Sequence, residues 1–86
     1  MSINEILEWH NYWGSTPLRT ALLIFEEAAK TNSVCDANTI PEDVLNKMNE
    51  LIEIYNHDGK VQIVDSEGIE DITQNIAAWV NNKNAV

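Results

Sequence analysis

The chain has 86 residues and a formal net charge of −9, from 14 acidic and five basic side chains. This length predicts a single domain, residues 1–86, with one small hydrophobic core. The excess of acid argues against direct binding of nucleic acid, which needs clustered lysine and arginine. No apolar run reaches about 18 residues, so no membrane span is predicted. The lone Cys35 cannot form an internal disulfide, and the N-terminus lacks a secretory pattern, which together fit a cytoplasmic protein.

The first predicted helix covers residues 3–13. Ser2 and Glu5 form the S-x-x-E pattern of a capping box. Gly14 suits the left-handed conformation that often ends a helix. The residues that recur at helical spacing, and so form the predicted buried face, are Ile3, Ile6, Leu7, His10 and Trp13.

Half of the six aromatic residues lie in the stretch "EWHNYWGS", residues 8–15. On a helical wheel Trp13 falls on the buried arc, so we expect it in the core, and His10 is predicted to be a core-edge histidine with one hydrogen bond. Trp9 lies at the border of this arc and Tyr12 faces outward. Partly exposed Trp and Tyr are enriched in interface hot spots. They are also common at the rims of small cores, so both interpretations of Trp9 and Tyr12 stay open.

The second predicted helix covers residues 17–31, with Ser15 or Thr16 as its cap and Pro17 in its first turn. One face consists of Leu18, Ala21, Leu22, Phe25, Ala28 and Ala29, and Leu23 and Ile24 widen it. A helix that is apolar nearly all round is either central in its domain or half of an interface. Residues 31–40 are polar and predict a loop.

The third predicted helix covers residues 40–56 and ends at "NHDG". Thr39 and Glu42 form a second capping-box pattern, with Pro41 tolerated in the first turn. The predicted buried stripe is Val44, Leu45, Met48, Leu51, Ile52 and Tyr55, and the opposite face holds Glu42, Asn46, Asn49 and Glu53, flanked by Asp43 and Glu50. A hairpin of "LIEIY" with "KVQIV" is the alternative, but the helical stripe holds over three turns.

The β-branched stretch 60–64 predicts one short strand, whose partner could lie in this chain or in a second molecule. The last predicted helix covers residues 67–82, capped by Asp65 or Ser66. Its first turn would hold the acids that a helix dipole favours, Glu67, Glu70 and Asp71, and its buried stripe would be Ile69, Ile72, Ile76, Trp79 and Val80. The predicted fold class is therefore mainly α, a compact four-helix domain with one possible short strand.

Neither a catalytic site nor a metal or cofactor site is predicted. The residues His10, His57 and Cys35 show no paired spacing of the kind that binds zinc. An EF-hand register on either Gly59 or Gly68 would place isoleucine at the first ligand position. Adjacent carboxylates on a helix point about 100° apart, so the acidic pairs do not form acid–base dyads.

These features favour a non-enzymatic interaction module that binds a basic surface of another protein, such as a nucleic-acid-binding protein or a nuclease. Small acidic inhibitors, immunity proteins and nucleic-acid mimics of phages and plasmids have this size and charge. The excess acid is concentrated after residue 35, where ten acids face three bases. The candidate contact residues are Trp9, Tyr12, Glu42, Asp43, Glu50, Glu53, Glu67, Glu70 and Asp71. The alternative is a small self-associating helical protein with a structural or regulatory role, such as a homodimer, that uses the second helix and the unpaired strand.

Overall fold

In the described part of the chain, four α-helices surround one core and a β-hairpin lies between the third and fourth. The computed structural model describes residues 2–31, 37–65 and 67–84. The elements in chain order are α1 (Ile3–Trp13), α2 (Pro17–Thr31), a 3-10 turn (Ala37–Thr39), α3 (Glu42–Asp58), β1 (Gln62–Asp65), β2 (Gly68–Asp71) and α4 (Thr73–Asn84). The mainly α, four-helix fold predicted from the sequence is confirmed.

Helix α1 has the predicted bounds because both of its ends carry local stop signals. The Glu5 amide donates to Ser2 Oγ at 3.2 Å, and the Ser2 hydroxyl donates to Glu5 Oε1 at 3.3 Å. The first bond is the N-cap half of the predicted capping box, whereas the second comes from the Ser2 hydroxyl instead of the Ser2 backbone N–H that a full capping box uses. At the other end Gly14 adopts φ 69°, and its N–H donates to the His10 carbonyl. That left-handed backbone is costly for residues other than glycine.

Helix α2 is the central element of the fold. Its start is capped as predicted, because Thr16 Oγ1 accepts a hydrogen bond from the Arg19 amide at 3.3 Å. It packs against α1, α3 and α4, which explains why it is apolar nearly all round. Leu22 and Leu23 are partly buried against the core. Ala29, which the sequence places on the apolar face, is exposed, so that part of the prediction is wrong.

The core is built from all four helices. Phe25 of α2 and Trp79 of α4 meet edge to face, with ring centroids 5.8 Å apart. Each large apolar side chain that is fully buried contributes about 1.5–3 kcal/mol to folding. The buried apolar residues are Ile3, Ile6, Leu7, Ala21, Ile24, Phe25, Ala28, Ile40, Val44, Met48, Leu51, Val61, Ile72, Ile76 and Trp79.

Helix α3 begins two residues later than predicted and ends two residues later. Its N-cap is Pro41, which makes no side-chain capping bond, so the predicted cap at Thr39 is wrong. Pro41 explains the shift. The residue before a proline, here Ile40, is disfavoured in the helical conformation, and Pro41 itself is extended with φ −53° and ψ 145°, so the first helical residue is Glu42. Part of the predicted loop 31–40 is a 3-10 turn at Ala37–Thr39, and residues 32–36, with Cys35, lie outside the described residues.

The predicted fourth helix is wrong in its first turn. Residues 68–71 form β2, which pairs antiparallel with β1, and α4 begins only at Thr73. Gly68 has φ 135°, which no helix can accommodate. The predicted strand therefore finds its partner within the chain. Ser66 lies outside the described residues, and Asp65 is the last residue of β1 rather than a helix cap.

Hydrogen bonds join the base of the hairpin to the start of α4. The Ile72 amide donates to the Val61 carbonyl at 3.0 Å, and the Val61 amide donates to Thr73 Oγ1 at 2.8 Å. Asp71 Oδ1 accepts from the Thr73 amide at 2.9 Å, so it pairs one of the backbone N–H groups that the first turn of α4 leaves without a partner inside the helix. Within the described residues, none of the helices is long and apolar enough to cross a membrane.

Candidate interaction surface

Three aromatic side chains lie together on the solvent side of α1. Trp9, Tyr12 and Trp13, which we call the aromatic patch, are exposed by 53%, 79% and 65%. Positions 9, 12 and 13 are separated by three and four residues, so their side chains are neighbours on a helix surface. The chain therefore presents half of its aromatic residues to solvent on one helix.

The predicted burial of Trp13 is wrong. The buried positions of α1 end at His10, one turn before the last residue of the helix. Because the chain leaves α1 at Gly14 and enters α2 at Pro17, His10 is the last side chain that faces α2. The helical wheel placed Trp13 on the buried arc because periodicity alone does not show that the buried face ends at His10.

The rings of the aromatic patch contact one another. The centroids of Tyr12 and Trp13 are 4.8 Å apart with the planes at 76°, and those of Trp9 and Trp13 are 5.9 Å apart at 43°. Such pairs contribute about 0.5–1.5 kcal/mol beyond burial and hold the rings in place. With Glu8 and Asn11 they line an open depression of about 570 Å³.

His10 is buried as predicted, with 9% of its surface exposed, and it connects three helices. Its Nδ1 shares a hydrogen bond of 2.7 Å with Thr20 Oγ1 on α2, and its Nε2 lies 3.4 Å from Asp43 Oδ2 on α3. The sequence predicts one hydrogen bond for His10 but does not identify Thr20 or Asp43 as its partners. These contacts fix the part of α1 from which the aromatic patch projects.

The predicted acidic residues of α3 are all exposed. Glu42 and Asp43 lie in its first turn, and Glu50 and Glu53 follow two to three turns later on the solvent side. Lys47 donates to Glu50 at 3.1 Å and so offsets part of that charge. Asp43 is the member of this group that the structure brings into contact with α1, through His10.

The remaining predicted acids lie on the hairpin, not on a helix. Glu67 is in the turn, and Glu70 and Asp71 are on β2. Hydrogen bonds from the Thr73 amide and hydroxyl, with Lys60 nearby, lower the pKa of Asp71 below its usual value. The nine predicted contact residues therefore lie on three separate elements: α1, α3 and the hairpin.

Sequence reasoning also missed an exposed apolar pair on the hairpin. Val64 and Ile69 are register partners in the sheet and are 76% and 70% exposed. The signal was present in the sequence, since Gly68 interrupts the helical pattern and Ile69 follows it. The neighbouring acids Glu67, Glu70 and Asp71 resemble those in the first turn of a helix, so a helix was predicted here instead of a strand.

Two histidines of the described residues lie next to a carboxylate, His10 beside Asp43 and His57 beside Asp58. His57 and Asp58 pair at 2.9 Å, but both are exposed and adjacent in sequence. In residues 2–31, 37–65 and 67–84, no three His, Cys, Asp or Glu side chains come together as a potential metal site.

Comparison of the chain with protein-family models, with curated proteins and with solved structures found no significant match.

Proposed function

We propose that this chain is a non-enzymatic interaction module that binds a basic surface of another protein. The observation that carries the proposal is the aromatic patch, three large rings that contact one another and are each more than half exposed. Single exposed apolar residues are ordinary on protein surfaces, but contiguous ones mark interaction sites. Tyr and Trp are also the residue types that dominate binding energy at interfaces.

The net charge of −9 determines the kind of partner. An acidic chain attracts a basic surface over distances beyond contact, which speeds association and suppresses binding to other acidic molecules. The exposed acids on α3 and on the hairpin supply this field, while the aromatic patch supplies the close contact. A nucleic-acid-binding protein or a nuclease is the class of partner that this charge fits, so the chain would act as an inhibitor or a nucleic-acid mimic.

The compartment that we propose for this interaction module is the cytoplasm. A chain with a single cysteine has no internal disulfide to protect, which fits action in the reducing cytoplasm. Basic nucleic-acid-binding proteins are available there as partners.

The proposal is tested by affinity capture from a lysate of the source organism with three immobilised chains. These are the natural chain, the double variant Trp9→Ala/Tyr12→Ala, and a matched control, Val64→Ala/Ile69→Ala, which removes exposed apolar surface from the hairpin instead. Captured proteins are identified by mass spectrometry and the binding is repeated with the purified partner. We expect a basic protein that binds the natural chain and the control, is lost from the patch variant and is released by high salt.

The charged surface has its own variant in the same experiment. Glu50→Lys/Glu53→Lys reverses two exposed charges on α3 and changes the net charge from −9 to −5 (two changes of +2). We expect slower association with the partner and little change in its dissociation. A partner that binds the patch variant as well as the natural chain would contradict the proposal, as would the capture of acidic or neutral proteins only.

A further inference from the structure

We infer that the aromatic patch receives an arginine side chain of the basic partner. This inference rests on the proposed function and names the chemical group that the patch recognises. It starts from the depression of about 570 Å³ on α1, which is lined by the three rings, by Glu8 and by Asn11.

The arrangement of the rings suits a flat cation. The face of an indole or phenol ring is the negative end of its quadrupole and attracts a cation within about 6 Å of the ring centre. Trp13 meets Tyr12 at 76° and Trp9 at 43°, so the rings present surfaces in several directions around one depression. Guanidinium is planar and weakly hydrated, so it stacks on such faces more readily than the compact ammonium of lysine.

Glu8 adds the anion that a guanidinium requires. It lines the same depression, and among the described residues it has no salt-bridge partner. By contrast, Glu26 pairs with Lys30 and Glu50 pairs with Lys47. A guanidinium can stack on a ring and donate to a carboxylate at the same time, because its donors lie in the plane of the stacked group.

Two other occupants fit the patch less well. Stacked bases of a single-stranded nucleic acid would bring phosphates beside Glu8 and into the field of a −9 chain. A second copy would bring two such chains together, and its single arginine, Arg19, is the only guanidinium that it could offer. An arginine on a basic protein meets no such repulsion.

The test uses three capped peptides that are identical except at two positions, which hold arginine, lysine or citrulline. Binding is measured from the emission of Trp9 and Trp13, with the buried Trp79 as a constant background, and from amide chemical shifts of α1. We expect the arginine peptide to bind, the lysine peptide to bind about threefold or more weakly, and the uncharged citrulline peptide to lose nearly all binding. The variant Trp9→Ala/Tyr12→Ala should abolish the difference between arginine and lysine.

Glu8→Gln and Glu26→Gln form a matched pair, because each changes the net charge from −9 to −8 (one charge lost) and Glu26 is an exposed residue of α2 outside the candidate contact surface. We expect Glu8→Gln to weaken binding of the arginine peptide about two- to fivefold and Glu26→Gln to leave that binding nearly unchanged. Equal binding of arginine and lysine peptides, equal effects of the two variants, or no binding of the arginine peptide would overturn the inference. None of these results would remove the proposed function, which fails only if capture of the basic partner does not depend on the patch.

Discussion

At the scale of single residues, the most consequential polar contact is the one between His10 and Thr20. Both side chains are buried, with exposures of 9% and 1%, and each is the hydrogen-bond partner of the other at 2.7 Å. A buried polar atom that loses its partner keeps the full cost of its desolvation. Each member of the pair therefore stabilises the packing of α1 against α2 only while the other member is present, in addition to the apolar contacts of α1.

We expect Thr20→Val to destabilise the protein by about 1–3 kcal/mol, because valine keeps the shape of threonine but leaves His10 Nδ1 unpaired. The measurement is urea unfolding at neutral pH, followed by the circular dichroism of the helices. Thr31→Val is the matched control, since Thr31 is exposed at the end of α2, and it should stay within about 0.5 kcal/mol of the natural chain. Equal effects of the two substitutions would show that the buried pair has no special role.

At the same scale, the sequence predicts which face of α1 is buried but not how far the buried face extends. The burial of His10 follows from periodicity alone. Its partners come from α2 and α3, and no local pattern identifies a contact between positions 10, 20 and 43. The prediction that Trp13 is buried is wrong for the same reason, because the exposure of Trp13 depends on where α2 begins, which the periodicity of α1 does not show.

At the scale of elements, helices with strong end signals are predicted well and the hairpin is not. α1 and α2 have the predicted bounds because Ser2, Gly14 and Thr16 act locally. α3 is shifted by Pro41, whose effect on the preceding residue was underestimated. β2 was missed because its four residues include two acids and only one isoleucine, and its structure depends on pairing with β1.

Gly68→Ala is expected to open the hairpin while the helices stay folded. Gly68 has φ 135°, a conformation that costs alanine about 1–3 kcal/mol, and no atom lies within 4 Å of the added Cβ, so the effect is one of backbone strain. We expect amide hydrogen exchange in β1 and β2 to become about tenfold faster or more. Gly14→Ala is the control, because it strains the end of α1 and should leave exchange in the hairpin unchanged.

Asp71 joins the hairpin to α4 and gives this junction a dependence on pH. Its pKa is lower in the folded protein than its usual value of 3.8, chiefly because its carboxylate accepts hydrogen bonds from Thr73. A lowered pKa means that the ionised form is the one that stabilises the fold. The contribution is therefore fully present well above pH 3.8 and is lost as the pH falls below that value and through the lower pKa of the folded state.

We expect Asp71→Ala to lower the urea midpoint at neutral pH and to do so progressively less as the pH is taken below 3.8. Glu70→Ala removes a neighbouring exposed carboxylate and should change the midpoint much less at neutral pH. A gap between the natural chain and Asp71→Ala that stayed constant or widened at low pH would contradict this account of the junction.

At the scale of the whole molecule, the two features that suggested self-association both find partners inside the chain. The apolar faces of α2 are covered by α1, α3 and α4, and β1 is paired with β2. Within residues 2–31, 37–65 and 67–84, the exposed large apolar side chains are those of the aromatic patch, of Val64 and Ile69, and of Ile54. Like charge opposes their association between copies, because every copy has a net charge of −9.

We therefore expect sedimentation equilibrium to give a mass near 9.7 kDa at both low and high protein concentration. High salt is the stringent condition, since it screens the repulsion between copies and leaves only the attraction between exposed apolar groups. A mass near twice this value would favour the self-associating alternative. Its surface could then be located by comparing Trp9→Ala/Tyr12→Ala with Val64→Ala/Ile69→Ala. Loss of the dimer in the first variant alone would mean that a second copy, rather than a basic partner, covers the aromatic patch.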